Sequence, residues 1–173
     1  MKKFFLSIFA IIILFTNQVF SEQKIAFIDM DRVISTSISG SSILKQLTDL
    51  NNKNLNFLKN EEKKFQEIEK KLIAQKNILS ETDFENKLNE LKSEIKNYNQ
   101  NRDKMINEFN KLKVDNTNNL LKLINPILLK FSDDKEISIV LQKKDLVVAK
   151  TQLDITDEVI KIINSEVKEF KIK

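Results

Sequence analysis

The segment Phe84–Leu123, FENKLNELKSEIKNYNQNRDKMINEFNKLKVDNTNNLLKL, contains the most regular pattern in this chain. Apolar residues recur in it at alternating steps of four and three residues for more than five heptads. Most of the residues between them are Lys, Glu, Asp or Asn, and the polar members of the series are Arg102, Asn116 and Asn119. An apolar period of about 3.5 residues places one narrow seam along a helix, and such a seam requires a partner helix. The series comprises Phe84, Leu88, Leu91, Ile95, Tyr98, Arg102, Met105, Phe109, Leu112, Asn116, Asn119 and Leu123.

A second series of the same kind precedes the first and supplies the partner. Its members lie seven residues apart, with Leu47 and Ile68 at the alternate position: Leu44, Asn51, Leu58, Phe65, Leu72 and Leu79. If the chain reverses between the two series, facing residues have numbers that sum to about 163. The predicted pairs are Leu79 with Phe84, Leu72 with Leu91, Ile68 with Ile95, Phe65 with Tyr98, Leu58 with Met105, and Glu61 with Arg102.

The reversal itself has a sequence signal. Ser80 is a helix N-cap residue with Asp83 as the acidic third residue of a capping box, and Leu79 and Phe84 occupy the positions of a hydrophobic staple. We therefore predict a long antiparallel coiled-coil hairpin over residues 42–126 with its tip near residues 80–83. At about 1.5 Å per residue, a first arm from Ser42 to Leu79 is roughly 55 Å long and a second, from Phe84 to Phe131, roughly 70 Å.

Composition excludes several classes of function. The chain has one Gly, one Pro and no Cys, His or Trp. Zinc and haem sites built on His or Cys, His-dependent triads and thiol nucleophiles are therefore excluded. The arms lack glycine, so no loop in them is suited to cradling a phosphate. Scattered Asp, Glu and Lys residues are typical of solvated helix faces. We predict no catalytic residues, no metal and no cofactor, and conclude that the chain is not an enzyme.

Residues 1–21 have the pattern of a secretory signal peptide. Lys2 and Lys3 form the charged start, Phe4–Phe15 is an apolar run, and Val19 and Ser21 occupy the small-residue cleavage positions. An uncleaved anchor or a buried helix is the alternative. The run is shorter than the roughly 20 residues of a transmembrane helix. Removing two lysines lowers the net charge from +4 to +2, which argues against a nucleic-acid partner.

The two ends of the chain after residue 21 predict a small β-rich base. Lys24–Asp29, Ile137–Gln142 and Asp145–Lys150 are rich in β-forming residues, with Lys143 and Lys144 as a turn between the last two. Either Asp154 or Thr156 would cap a final helix. Small sheets leave open edges and apolar faces, so residues 22–41 and 127–173 are expected to assemble with other copies of the chain. The residues expected to assemble the base are Ile25, Phe27, Ile28, Ile139, Leu141, Leu146 and Val148.

The sequence also predicts how the base connects to the two arms. Met30–Ser39 is predicted to be a connector with one helical turn around Arg32. Gly40 marks the start of the first arm, with Ser41 or Ser42 as its cap. Pro126 lacks a backbone donor and is expected to kink or restart the second arm where it meets the base.

Two end signatures resemble the Skp/OmpH family of periplasmic chaperones for outer-membrane proteins. The first is Lys24–Ile34 (KIAFIDMDRVI) followed by Gly40 and the long helix; the second comprises Asn125–Leu128, Ile139–Leu141 and Leu153–Val159 (LDITDEV). The resemblance extends in order over essentially the whole chain after residue 21. It implies a mainly α fold with a small β-barrel base, assembled as a homotrimer whose three helical hairpins surround a cavity. It also implies ATP-independent holding of unfolded outer-membrane β-barrel proteins in the periplasm.

Two sets of arm residues are candidates for contacts with other molecules. Phe57, Ile73 and Ile106 fall off the seam and would face a cavity with bound clients, or alternatively widen the seam. Lys70, Lys71, Lys76 and Lys87 lie near the tip, where a weak contact with anionic lipid is conceivable. Acidic residues are interleaved with these lysines, which argues against a strongly basic tip: Glu67, Glu69, Glu81, Asp83 and Glu85.

Two rival interpretations share the export signal and the arms. An exported structural or adaptor protein would dock one specific envelope partner and would not protect unrelated unfolded proteins. A nucleic-acid or lipid binder would show a steep salt dependence of binding.

Overall fold

The computed structural model describes residues 23–172. The predicted signal peptide, residues 1–21, lies outside the described residues. These residues form a two-stranded sheet and four helices, which are β1 (Lys24–Ile28), α1 (Met30–Thr36), α2 (Ile38–Gln75), α3 (Glu81–Asp134), β2 (Ile137–Gln142) and α4 (Thr156–Glu166). Single 3₁₀ turns lie at Lys143–Asp145 and Thr151–Leu153. The predicted mainly helical fold with a small sheet is confirmed. No helix in residues 23–172 has the length and hydropathy needed to span a membrane.

Helices α2 and α3 form a long arm. Helix α2 has 38 residues and α3 has 54, so they are about 57 and 80 Å long at 1.5 Å per residue. Ser80 caps α3, because its hydroxyl oxygen accepts the Asp83 N–H at 3.1 Å while its O–H donates to the Asp83 carboxylate at 2.6 Å. Helix α2 ends at Gln75 and not at Leu79, so residues 76–80 form the turn.

The start of the first arm was placed too late by the sequence pattern. The predicted connector Met30–Ser39 is mostly a two-turn helix, α1, which ends at Ser37. Ser37 has extended backbone angles and accepts the Gly40 N–H at 3.2 Å, so Ser37 and not Ser41 or Ser42 caps α2. Ser37, a residue type strongly preferred at N-caps, is therefore both the C-cap residue of α1 and the N-cap residue of α2.

Gly40 permits the close approach of α1 and α2. A Cβ atom added to Gly40, the single glycine of the chain, would lie 1.9 Å from the Ile34 carbonyl oxygen. The backbones of the two helices therefore contact each other at a position where any side chain would force them apart.

Pro126 does not restart the second arm. Helix α3 continues without interruption from Glu81 to Asp134. Pro126 is exposed, whereas Ile124 and Ile127 on either side are buried. Burial of the flanking residues against the base offsets the lost backbone hydrogen bond at the proline.

The sheet joins the two ends of the chain. Strands β1 and β2 are parallel, with Ile25 opposite Ile139 and Phe27 opposite Leu141. The second edge of β1 is bridged at Asp154, since the Ile155 N–H donates to the Phe27 carbonyl at 3.0 Å. The arm is therefore inserted between two adjacent strands.

The predicted strand Asp145–Lys150 is wrong for this chain taken alone. Lys143–Asp145 forms a 3₁₀ turn, and the residues that follow it make no strand. Val147 and Val148 are 99% and 90% exposed. The run has β-propensity, but within residues 23–172 it has no strand beside it, and propensity alone does not form a strand.

One core unites the base with the roots of both arms. It contains twelve buried apolar side chains from the sheet, all four helices and the approach to α4. These residues are Ala26, Ile28, Val33, Ile43, Leu47, Leu120, Ile124, Ile127, Phe131, Ile155, Val159 and Ile163.

Where the two arm helices enter this core, the buried positions no longer follow the 3.5-residue period of the seam. Leu44, Asn119 and Leu123, which the 3.5-residue period places inside, are exposed. Ile43 and Ile124 are buried instead. At its root each helix faces several elements and not one partner, so the buried positions follow the ordinary 3.6-residue repeat.

The N-cap residue of the final helix lies one residue beyond Asp154, the first of the two expected caps. Ile155 is its N-cap residue and Thr156 is its first helical residue, so neither Asp154 nor Thr156 occupies the cap position. The Asp154 carboxylate still accepts the Thr156 N–H at 3.0 Å. The Thr156 hydroxyl oxygen accepts the Asp29 N–H at 2.9 Å, which ties the end of β1 to the start of α4.

Candidate functional site

The middle of the arm is held by a narrow aromatic and aliphatic seam. The rings of Phe65 and Tyr98 meet edge to face with centroids 5.4 Å apart. Nearer the tip, Leu72 and Leu91 are both buried. Leu58, Leu79, Phe84 and Met105 are half-buried. Each helix has only one neighbour here, so the seam excludes less water than a globular core.

Tyr98 adds a polar bond to this seam. Its hydroxyl donates to the Glu62 carboxylate at 2.8 Å, across from α3 to α2. Burial and the hydrogen bond with Glu62 both raise the pKa of Tyr98. The phenol therefore stays neutral and acts as a donor over the whole physiological pH range.

Glu61 and Arg102 share a cleft but form ion pairs along their own helices. Glu61 pairs with Lys64 at 2.6 Å, and Arg102 pairs with Asp103 at 3.1 Å. Both side chains line a cleft of about 370 Å³ beside the Phe65–Tyr98 contact. Glu61 and Arg102 thus line the same cleft, as their predicted pairing requires. Each forms its ion pair with a closer residue of opposite charge on its own helix.

Two clefts follow the seam on opposite flanks of the arm. Phe57 lines one of them, and Leu55 and Ile106 line the other. The clefts share only the seam residues Leu58 and Met105. Residues two apart on a helix point about 200° apart, which accounts for the separation of Phe57 from Leu55. We call these surfaces the Phe57 flank and the Ile106 flank.

The three candidate client-contact residues therefore do not form one patch. Ile73 lies five full turns from Leu55 and so belongs to the Ile106 flank. Phe57, Ile73 and Ile106 are 50%, 64% and 47% exposed. Apolar side chains are thus spread along both flanks of the arm, with Leu55 and Ile106 in one cleft and Phe57 in another.

The four tip lysines do not converge either. Lys71 and Lys87 line one cleft near the tip together with Glu90 and Glu94. Glu94 also lines the cleft that contains Phe57, so this pair lies on the Phe57 flank. Lys70 and Lys76 are exposed and lie outside that cleft. The acidic neighbours reduce the positive potential that an anionic surface would meet.

The base carries an apolar surface on the side of the sheet that faces away from the core. Alternate residues of a strand point to one face, so Ile25 and Phe27 share it with Ile139 and Leu141. Phe27 is buried, but the other three are 40–45% exposed. Val147 and Val148, which follow β2 in the chain, are almost fully exposed, and Leu146 is half-buried before them. Ile28, expected among the assembly residues, faces the chain's own core instead.

A cluster of charges joins the ends of β1, β2 and α4, and the sequence pattern did not reveal it. Lys143 lies 3.5 Å from Asp29 and 3.9 Å from Asp154, and Arg32 pairs with Asp157 at 2.6 Å. The only signal was the recurrence of aspartates in the two end signatures.

Asp154 is the electrostatic centre of this cluster. Burial acts to raise the pKa of Asp154, but the hydrogen bonds from Thr156 and the charges of Lys143 and Arg32 outweigh it and lower that pKa below its usual value. The carboxylate is therefore ionised at neutral pH and fixes the junction. In residues 23–172 no group of His, Cys, Asp or Glu side chains is arranged to hold a metal ion.

Comparisons with known proteins identify relatives by family and by fold. Residues 24–163 match the family of outer membrane proteins described as OmpH-like. The fold resembles the crystal structure of an OmpH-like protein from Caulobacter crescentus CB15, a proposed outer membrane chaperone. The TM-score is 0.80 at 15% sequence identity, over 88% of this chain and 90% of that one. No curated protein matches the sequence.

Proposed function

This chain belongs to the OmpH-like family of outer membrane proteins, and from that premise we propose that it is an ATP-independent holdase of the periplasm. Its clients are unfolded outer-membrane β-barrel proteins, which it keeps from aggregating before they insert into the membrane. It works as a binding protein and not as an enzyme.

The dispersed exposure of apolar side chains along both flanks of the arm carries this proposal. Leu55, Phe57, Ile73 and Ile106 are each about half exposed or more. Leu55 and Ile106 line one cleft, and Phe57 lines another on the opposite flank. A single contiguous apolar patch would favour one fixed partner, whereas separated contacts give many weak interactions. Unfolded β-barrel strands alternate apolar and polar residues, so they can meet such a surface in many registers.

We further propose that three copies assemble through the base, with the arms around a common cavity. Ile139, Leu141, Val147 and Val148 give the base an exposed apolar surface beside an open sheet edge. Burying such a surface removes apolar area from water at about 25 cal/mol per Å², and pairing an open edge satisfies its backbone groups. The run Asp145–Lys150 would then find in another copy the neighbour that it lacks in its own chain.

Release needs no nucleotide in this mechanism. Gly40, the single glycine of the chain, lies in the first turn of α2 against α1, so the arms have no glycine-rich loop suited to binding a nucleotide phosphate. Weak, separate contacts dissociate one at a time, and the client's own folding at the membrane removes it from the arms. A contact between the tip and anionic lipid is a secondary proposal, and the mixed charge around Lys71 and Lys87 would keep it weak.

Two measurements on the chain without residues 1–21 test this function. Light scattering after size exclusion gives the mass, for which we expect an elongated trimer. An aggregation assay with an unfolded outer-membrane β-barrel protein follows, in which a molar excess of trimer should suppress the turbidity. A stable monomer, or a trimer that leaves the turbidity unchanged, would overturn the holdase and favour an adaptor with one specific partner.

A further inference from the structure

The last described residues lie along the root of the first arm. After α4 the backbone becomes extended at Val167, with φ −115° and ψ 102°. Val167, Phe170 and Ile172 are partly buried against the base core. The residues between them are exposed, namely Lys168, Glu169 and Lys171. This segment is therefore docked by one side and solvated on the other.

Gln46 on α2 holds the backbone of this segment at two points. Its side-chain amide donates to the Phe170 carbonyl at 2.7 Å, and its amide oxygen accepts the Ile172 N–H at 3.3 Å. One acceptor and one donor two residues apart are what a neighbouring strand would bind. The Gln46 side chain thus makes the two hydrogen bonds that a neighbouring strand would make. Both are to backbone groups of the segment and neither is to a side chain.

Two further hydrogen bonds join the same elements. The Ser42 hydroxyl donates to the Phe170 carbonyl at 3.3 Å. The Asn164 side-chain oxygen accepts the Ile38 N–H at 2.8 Å, which satisfies one of the free donors in the first turn of α2. The contacts therefore run from Ile38, the first residue of α2, to Gln46, over about two and a half turns.

All the residues that contribute these bonds from the C-terminal side follow residue 163, where the family match ends. They are Asn164, Phe170 and Ile172. Their partners Ile38, Ser42 and Gln46 lie within the matched residues 24–163, so each contact joins the matched part of the chain to its C-terminal segment.

We propose that residues 164–172 form a latch that binds a site on α2 built from Ile38, Ser42 and Gln46. When docked, the latch fixes the angle at which the first arm leaves the base. When released, it frees the root of α2 and widens the range of arm positions. The latch is a property of the chain itself and does not depend on the proposed function.

Hydrogen exchange of the full chain after residue 21 tests the latch. Gln46→Ala removes the clamp, and Gln66→Ala, at an exposed position of the same helix, is the matched control. We expect exchange of the amides in residues 38–47 to rise about five- to tenfold in the first variant, as expected for losing hydrogen bonds of ordinary net strength. Phe170→Ala should have the same effect by removing the apolar anchor.

Either of two outcomes would overturn the latch. If Gln46→Ala and Phe170→Ala both match the control, the segment does not hold α2. If exchange rises equally in β1, α3 and α4, the segment is an ordinary part of the base core and not a separate latch.

A distance measurement supplies the second readout. The chain has no cysteine, so Lys53→Cys and Lys161→Cys place one spin label on α2 and one on α4, both at exposed positions. Adding Gln46→Ala to this pair should broaden the distance distribution, whereas adding Gln66→Ala should not. An unchanged distribution after Gln46→Ala would show that the clamp does not set the arm angle.

Discussion

The arm and the base of this molecule are stabilised in different ways. The base buries twelve apolar side chains in one core. Between residues 48 and 115 the buried apolar side chains are Leu72 and Leu91. A helix with one neighbour buries a narrow stripe, and a helix that meets a sheet and two other helices buries a broad one. The base therefore contains most of the buried apolar surface, and the arm is a long extension held by a narrow seam.

The largest effect is expected from truncating the base core. Ile124 is fully buried, and Ile124→Ala should lower the free energy of unfolding by about 2–5 kcal/mol through lost burial and a new cavity. Leu129→Ala, at a position that is 67% exposed on the same helix, should change it by less than about 0.5 kcal/mol. Urea denaturation followed by circular dichroism measures both. Equal effects of the two variants would contradict a core that includes the root of α3.

The next largest effect concerns the joint between base and arm. Gly40→Ala places a Cβ atom 1.9 Å from the Ile34 carbonyl oxygen, so α1 and α2 must separate. We expect a loss of about 1–3 kcal/mol, in the range of overpacked sites. Ser41→Ala, at the adjacent exposed position, is the control. A fully stable Gly40→Ala variant would mean that the two helices can move apart without disturbing the core.

The pairing of the two arm helices could be predicted from the sequence because each helix packs against a single partner. With a single partner helix, a constant apolar period fixes which residues face each other. The sequence pairs Phe65 with Tyr98, and the two rings are 5.4 Å apart in the structure. The same relation fails at the roots, where Leu44 and Leu123 are 39% and 44% exposed. Neighbours distant in sequence determine the buried face there, and no local period encodes them.

Other features were missed because they depend on a partner group and not on a pattern. The run Asp145–Lys150 has strand propensity but no neighbouring strand in its own chain. Gln46 gave no signal, since a lone glutamine on a polar helix is ordinary until an extended segment lies beside it. The Asp154 cluster likewise exists only when both ends of the chain meet.

A seam substitution in the arm separates local from global stability. Leu72→Ala should open the tip half of the arm, with amide exchange in residues 65–98 rising more than tenfold for a loss of about 2 kcal/mol. The melting temperature of the base should stay nearly constant, because the base core does not include Leu72. Ile73→Ala, 64% exposed at the next position, is the control. If Leu72→Ala lowers the melting temperature of the base as much as a base-core variant does, arm and base form one cooperative unit.

Lowering the pH should reduce the stability of the base through the protonation of Asp154. The folded-state pKa of Asp154 lies below its usual value of 3.8, so its ionised form favours the folded state. This contribution is complete well above pH 4 and is lost as the pH falls through the lowered pKa. Denaturation curves at pH 7 and pH 3 should therefore differ less for Asp154→Asn than for the wild type. The exposed Asp115→Asn on the arm is the control, and an identical pH response of both variants would contradict the role of the Asp154 cluster.

The smallest effect is expected from the polar bond inside the arm. Tyr98→Phe keeps the ring against Phe65 but removes the hydrogen bond to Glu62. The loss should be about 0.5–1 kcal/mol, seen as faster amide exchange in the middle of the arm. Because the pKa of Tyr98 is raised in the folded state, the wild type loses this contribution as the pH rises through that pKa, so the difference between the two proteins should shrink at alkaline pH. Glu62→Gln keeps an acceptor and is the matched control. A larger loss than that of Leu72→Ala would show that directional bonds, and not the narrow seam, hold the arm together.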